Sequence, residues 1–393
     1  MPRRVHDAER HIILFYSNTG GGHRAATEAV REELESRYPH VPVIMEDFLL
    51  RGTFWPFTES DRFYAWSVER VPWLWKTLYE VTSHPFVFRP LVRATGVVLL
   101  PRLRRFYAQY RPRLVVALHP LLTTLPLEAL RSWEDGKAPR VPFATVMTDL
   151  TTFHPSWLEP RVDVLTVPTR EAYERAVALG FPEGKIRVLG LPVRRAFRHL
   201  PQDRRAVRRE LGLQPDRPVV LLTGGGQGMG PVEPIAVHIA RRVREAQLVI
   251  ISGRNERLRR RLEARSWPLP VRVLGFVHDM HLWMSASDVL VSKAGPGTIA
   301  EALICGLPIL LYGYVPGQEE GNVEFVEKHG IGAYRPRPED LARELVTWLS
   351  DPQRYLEPMR ARARALAFPR ATEDVVDTLI ALIPEPWRPL PTG

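Results

Sequence analysis

The sequence predicts an α/β protein made of two doubly wound domains facing a cleft. Three observations predict it. Short, apolar, β-branched runs alternate with amphipathic stretches along most of the 393 residues, and strands buried on both faces read this way. The alternation comes in two consecutive series, separated by a polar, basic stretch at 194–218, the best linker candidate. The length suits two domains of ordinary size. Strand–helix alternation implies parallel sheets with right-handed crossovers, and ligands of such sheets sit beyond the carboxyl ends of the strands.

The first series opens with HIILFY (11–16), a buried strand, followed by SNTGGGHRAA (17–26). RAATEAVREELESRY (24–38) reads as a helix with Ala25, Ala29 and Leu34 on or near one face, and VPVIMED (41–47) returns as a strand. Residues 51–112 break the rhythm. They hold Trp55, Trp66, Trp73 and Trp75 in aromatic-rich helices, and 89–113 carries seven arginines and no acid. This segment reads either as a helical insertion packed on the core or as a membrane-interface region, where tryptophan suits the headgroup layer and arginine suits anionic lipid. Aromatics with arginines also suit nucleic acid, but no nucleic-acid module signature is present, so none is expected as a partner. Strands resume at 113–119, 143–149, 164–168 and 185–190. The second series runs through 219–224, 246–252, 271–276, 288–293 and 307–313.

A hydrophobic content of 45% with 25% charged residues is that of a globular protein. The one cysteine, Cys305, excludes an intramolecular disulfide framework and a cysteine-based zinc site, and fits a reducing compartment. A net charge of +10 favours acidic partners: nucleic acid, anionic lipid or phosphorylated substrates. No secretory signal is evident. The most apolar stretch, 86–100, is interrupted by Arg89 and Arg93 and is too short to span a bilayer. The expectation is a soluble or peripheral protein.

Four glycine-rich turns follow strands: SNTGGGHRAA, TGGGQGMG (223–230), SKAGPGTIAEA (292–302) and YVPGQEEGN (314–322). Glycines let backbone N–H groups approach a ligand, and the following helix N-terminus favours an anion. One such turn says little; four in the same topological position say more. No Walker A pattern occurs, and the loose dinucleotide fingerprint at Gly295, Gly297 and Ala300 lacks the acid expected after the next strand. No metal-binding pattern appears, so neither a metal nor a cofactor is expected. Glu301 stands one helical turn after Gly297 and Thr298, where it is either a solvated helix residue or an acceptor for ribose or sugar hydroxyls. Gln318, Glu319 and Asn322 offer donors and acceptors at a spacing that suits a polyol. His23, read alone, is a cap-region residue as readily as a base. His154 reads as a structural loop residue before Pro155 or as a catalytic one.

SNTGGGHRAA, MTDLTTFHPSW (147–157), SKAGPGTIAEAL and PGQEEGNVEFV together resemble the monogalactosyldiacylglycerol synthase and processive diacylglycerol glucosyltransferase family, with the lipid II-forming GlcNAc transferase as a more distant relative. The resemblance runs from about residue 11 to about 380. It implies the GT-B fold: two Rossmann-like domains, with an acceptor and membrane-binding side at 1–195 and a UDP-sugar side at 196–368. It leaves a C-terminal helix and tail at 369–393 free to pack back on the first domain. It implies an inverting, metal-independent transfer of a hexose from a UDP-hexose to the hydroxyl of 1,2-diacylglycerol. The work would be done peripherally, at the cytoplasmic face of an anionic membrane surface. Galactose is favoured over glucose by the resemblance alone.

By the same resemblance, His23 is the general base and Asp149 a second functional acid. An imidazole of ordinary pKa suits removal of the acceptor proton. Gly226, Gly297, Thr298 and Arg194 lie near the pyrophosphate, where helix N-termini and an arginine stabilise departing UDP without metal. The backbone at Val277 reads the uracil edge, Glu301 holds the ribose, and Gln318 and Glu319 contact the sugar, with Asn322 beside them. The alternatives are a UDP-sugar epimerase of the same fold, a transferase to another lipid acceptor, and a non-catalytic lipid- or nucleotide-binding module. Oligomeric state stays open.

Overall fold

A computed structural model describes residues 10–18, 21–48, 70–136 and 139–390. The chain forms two compact units, one of Met1–Arg195 with Arg370–Gly393 and one of Ala196–Pro369. Each is built on a six-stranded, all-parallel sheet.

In the first unit the strands are β1 (His11–Phe15), β2 (Val43–Glu46), β3 (Pro112–Ala117), β4 (Phe143–Val146), β5 (Val164–Val167) and β6 (Ile186–Val188). Their order is β2-β1-β3-β4-β5-β6. Ile12 to Phe15 and Leu114 to Ala117 are wholly buried, as strands covered by helices on both faces require. The helices are α1 (Gly22–Arg37), α2 (Pro72–Ser83), α3 (Pro85–Tyr110), α4 (Thr124–Glu134) and α5 (Arg170–Ala178). The helices expected within 51–112 are present from residue 70 onward; Trp55 and Trp66 lie outside the described residues. Among the described residues, no helix is long and apolar enough to cross a membrane.

The second unit holds β7 (Val219–Thr223), β8 (Gln247–Ile251), β9 (Val271–Leu274), β10 (Val289–Lys293), β11 (Ile309–Gly313) and β12 (Gly332–Tyr334). Its order is β12-β11-β10-β7-β8-β9. Its helices are α6 (Arg204–Glu210), α7 (Val232–Arg242), α8 (Glu256–Glu263), α9 (Met280–Ala286), α10 (Pro296–Cys305), α11 (Glu320–Lys328), α12 (Pro338–Ser350) and α13 (Pro352–Leu366). β12 is absent from the sequence expectation because its three residues, Gly-Ala-Tyr, carry no apolar run.

The expected linker at 194–218 holds the boundary between the units, at Arg195/Ala196, but not all of it is linker. From residue 204 it folds as α6, capped by the Asp203 carboxylate, which accepts from the Arg205 and Ala206 amides at 2.9 and 3.0 Å. Arg208 is buried and donates to the Asp288 carboxylate at 2.6 Å and the Ala286 carbonyl at 2.8 Å. A polar run became packed structure because its charge has a partner 80 residues away.

The chain then returns to the first unit as α14 (Ala371–Ala381). The Thr372 hydroxyl donates to the Val193 carbonyl at 2.6 Å, and Arg37 pairs with Asp377 at 2.6 Å. Beyond the helix, Arg113 donates to the Trp387 carbonyl at 2.9 Å.

Candidate functional site

Each sheet reverses its winding once, between β1 and β3 in the first unit and between β7 and β10 in the second. Ligands of doubly wound sheets bind in the crevice at that switch point, outside the carboxyl ends of the strands. Of the predicted residues, His23 follows β1, Gly226 follows β7, and Gly297 and Thr298 follow β10, strands that border these switch points.

In the first unit, the turn after β1 ends at Gly21 with φ 80°, the left-handed region that glycine alone enters freely. It delivers His23 into the first turn of α1, whose N-terminus has no side-chain cap. A Cβ on Gly22 would meet nothing within 4 Å, so packing does not demand a glycine there. His23 is 7% exposed. Its Nδ1 lies 2.6 Å from Thr148 Oγ, just beyond β4. Its ring meets His119, just beyond β3, edge-on with centroids 4.7 Å apart, and tilts toward Trp157 at 6.0 Å. Burial lowers the His23 pKa to about 4, partly offset by a hydrogen bond to the Leu118 carbonyl. At neutral pH the imidazole is therefore uncharged, the form that accepts a proton.

Asp149 is 4% exposed, and its Oδ2 accepts the Trp157 indole N–H at 2.7 Å. His23 is set by the contact with Thr148 and the bond to the Leu118 carbonyl, and Asp149 holds the neighbouring tryptophan, itself fully buried. His154 Nδ1 lies 2.7 Å from Ser156 Oγ, and its ring packs edge-on against Tyr79 of α2 and Phe88 of α3. Burial lowers the His154 pKa to about 4 as well. Burial also holds His119 well below its ordinary value, and His23 and His154 nearby push the same way. Thr148 and His119 were missed by sequence reasoning. Both stand at the ends of strand runs that the sequence displays, which was the available signal.

Arg194, expected at the pyrophosphate, belongs to the first unit, where its Nη2 lies 3.5 Å from Glu28 of α1.

In the second unit, the turn after β7 is built from glycine by steric necessity. Gly228 has φ 65°, and a Cβ there would fall 1.9 Å from the Ser252 carbonyl oxygen. Gly226 differs: its φ is ordinary, and a Cβ would meet Arg254 Nη1 at 3.8 Å and Phe276 at 3.9 Å, ordinary contact. Val277 follows Phe276 in the loop after β9 and is half-buried. Gly297 and Thr298 lie in the first turn of α10, which has no side-chain cap, and a Cβ on Gly297 would meet nothing within 4 Å. Glu301 follows one turn on, half-buried.

In the turn after β11, Gln318 is half-buried, while Glu319 is buried and its Oε2 accepts the Val315 amide at 2.8 Å. Asn322 follows in the first turn of α11. Its side chain is 1% exposed and donates to the Ala294 carbonyl at 2.9 Å. It ties the third glycine turn to the fourth. Among the described residues no group of three or more His, Cys, Asp or Glu side chains is arranged as metal ligands.

Residues 23–193 match the monogalactosyldiacylglycerol (MGDG) synthase family, and residues 219–375 match the glycosyltransferase family 28 C-terminal domain. Among solved structures, MurG of Acinetobacter baumannii superposes with a TM-score of 0.60 at 17% identity, covering 95% of this chain and all of that one. A UDP-GlcNAc 2-epimerase from Neisseria meningitidis gives a TM-score of 0.58 at 14% identity, over 94% of this chain and all of that one. At these identities the likeness shows the fold alone, GT-B, which a transferase and an epimerase share. The sequence comparison separates them. Monogalactosyldiacylglycerol synthase 2 of Arabidopsis thaliana is 38% identical over 375 residues, 93% of this chain and 80% of that protein. On that identity, carried through both units, the chain belongs to the monogalactosyldiacylglycerol synthase family of glycosyltransferases.

Proposed function

We propose that the protein transfers galactose from UDP-galactose to the free hydroxyl of 1,2-diacylglycerol, inverting the anomeric centre and releasing UDP, to make a membrane galactolipid. The observation that carries this reading is the 38% identity to a monogalactosyldiacylglycerol synthase over 93% of the chain. The choice of galactose over glucose rests on that relative's name. The acceptor oxygen attacks the anomeric carbon as its bond to the UDP oxygen breaks, and the hydroxyl proton passes to a base. Neutral His23, set by Thr148 and walled by His119 and Trp157, is the group we assign to that proton. Its basicity lies below that of the ordinary imidazole expected from the sequence, so it takes the proton only as bond formation to the anomeric carbon acidifies the attacking hydroxyl. Asp149 serves by fixing Trp157.

In the second unit, the uncapped start of α10 with Gly297 and Thr298 faces the diphosphate, Glu301 the ribose, and the Val277 backbone the uracil edge. Gln318 and Glu319 face the sugar hydroxyls.

We place the membrane contact on α2 and α3. Trp73, Phe86 and Val97 are 68%, 93% and 77% exposed, and Arg93, Arg102, Arg104 and Arg105 are exposed on α3. Exposed aromatic and aliphatic side chains among arginines suit peripheral docking on anionic lipid. The single cysteine, half-buried Cys305, is in keeping with the cytoplasmic face.

The test is incubation with diacylglycerol vesicles and UDP-galactose or UDP-glucose, read by mass spectrometry of lipids and nucleotides. The expected product is monohexosyl diacylglycerol from UDP-galactose, with His23→Ala losing turnover and keeping UDP binding. An epimerised UDP-sugar formed without lipid, or full turnover by His23→Ala, would overturn the reading.

A further inference from the structure

His154 is a buried polar side chain that the chemistry assigned to His23 does not use. It stands at the head of the short turn Pro155–Trp157, where its Nδ1 accepts the Ser156 amide at 3.2 Å and so caps the turn. Pro155 restricts the backbone there, and the Ser156 carbonyl accepts the Thr123 hydroxyl at 2.7 Å. Trp157, the last residue of the same turn, walls His23. The turn is a stiff piece beside the base, and His154 opens it.

The same ring meets the two helices that carry the membrane contact in our reading. It packs edge-on against Tyr79 of α2 and Phe88 of α3, with centroids 5.3 and 5.6 Å away. With Nδ1 accepting, the ring proton of the neutral imidazole sits on Nε2. Nε2 is buried, and its approach to the backbone of Thr82, in the last turn of α2, falls short of good hydrogen-bond geometry. An apolar ring would fill the slot between Tyr79 and Phe88 at lower cost, and a short cap such as Asn would hold the turn. A histidine does both at once, and so joins the turn to the helices.

α2 is lightly packed: of its side chains from Trp73 to Ser83, none is buried. α3 is anchored by its second half, through Leu99, Leu103 and Tyr107, while its first half carries exposed Phe86, Leu91 and Val97. The lipid-facing surface is joined to the unit beside the base at His154.

We infer that His154 is a positioning residue for the lipid acceptor: it fastens the docking surface of α2 and α3 to the turn that walls His23, and so fixes the height of the base above the bilayer that holds the diacylglycerol hydroxyl. The inference rests on placing the membrane contact on α2 and α3. A hydroxyl held at a bilayer surface reaches the base only while docking surface and base keep one spacing, and a misplacement of about 1 Å can cost about a hundredfold in rate. An acceptor dissolved in water comes to the base without that constraint.

The test measures galactose transfer by the full chain from UDP-galactose to two acceptors: diacylglycerol in anionic vesicles, and a short-chain, water-soluble diacylglycerol. The variants are His154→Asn, which keeps an acceptor for the Ser156 amide but lacks the ring that reaches the helices, Tyr79→Ala, which removes the contact from the helix side, and the two combined. Each is expected to lower kcat/KM for the vesicle acceptor by about tenfold to a hundredfold. Turnover of the soluble acceptor, UDP binding and sedimentation with vesicles should stay unchanged. The double variant should lose no more than either single one, since both cut one contact. Equal losses on both acceptors would make His154 part of the catalytic turn alone, and losses that add would make the two positions independent; either overturns the inference, as does vesicle turnover at the wild-type level. Variants that no longer sediment would assign the contact to docking itself and overturn it too. A wild type that does not sediment with vesicles overturns the membrane contact and this inference with it, and a wild type that transfers to neither acceptor overturns the proposed function.

Discussion

Burial of His23 should make the protein measurably acid-labile, and the size of the effect follows from the structure. The folded-state pKa is about 4 against an ordinary 6.5, so on acidification the unfolded chain takes up this proton first. Stability from the buried neutral ring is fully present above pH 6.5 and is lost as pH falls toward 4. At about 1.4 kcal/mol per pH unit, the displacement amounts to roughly 3 kcal/mol in all, of which about 2 kcal/mol falls between pH 7.5 and pH 5. His23→Asn removes the titration while keeping a polar atom near Thr148. Urea unfolding followed by far-UV circular dichroism at both pH values supplies the comparison. His119 and His154 contribute acid dependences of their own that the variant retains, so the quantity to read is the difference between wild type and variant. The wild type should lose about 2 kcal/mol more than His23→Asn over this interval. An equal loss in both would refute the burial argument for this ring.

Four further outcomes are expected. Asp288 accepts from Arg204, Arg208 and Arg360 at 3.1, 2.6 and 2.9 Å and from the Val219 amide at 2.8 Å; Asp288→Asn should cost about 3–5 kcal/mol by stranding buried cations, read by calorimetric melting. Gly228→Ala, whose Cβ would strike the Ser252 carbonyl, should cost more than about 3 kcal/mol. Gly226→Ala should leave melting within about 1 °C and weaken UDP binding, which calorimetry of both variants checks. Trp73→Asp with Phe86→Asp should release the protein from anionic diacylglycerol vesicles in a sedimentation assay without changing its melting temperature, since both side chains are already largely exposed.

Several features were legible because they are local. Runs such as HIILF and VVLLT declare buried parallel strands by composition alone, and a glycine turn between strand and helix is marked by its own residues. The Gly-Ala-Tyr strand β12 was not legible, because its pairing with β11 rather than its composition makes it a strand. Helix α6 hid inside a basic run, because the partner of Arg208 is Asp288. Asn322 looked like a sugar ligand, and only the position of the Ala294 carbonyl shows how its amide is used.

By itself, then, the sequence determined the α/β class, the two strand series, the glycine turns at strand ends and the chemical types available there. The tertiary structure decided which of those ends are neighbours. The order β2-β1-β3-β4 brings His119 and Thr148 to His23, and the packing of α2 and α3 sets Tyr79 and Phe88 against His154. The structure also decided the charge state of His23, through burial that no nearby residue in the chain specifies. The physical reason is range. Periodicity and turn chemistry act over a few residues, whereas desolvation and charge pairing depend on whatever the fold places within a few ångströms, however distant in sequence.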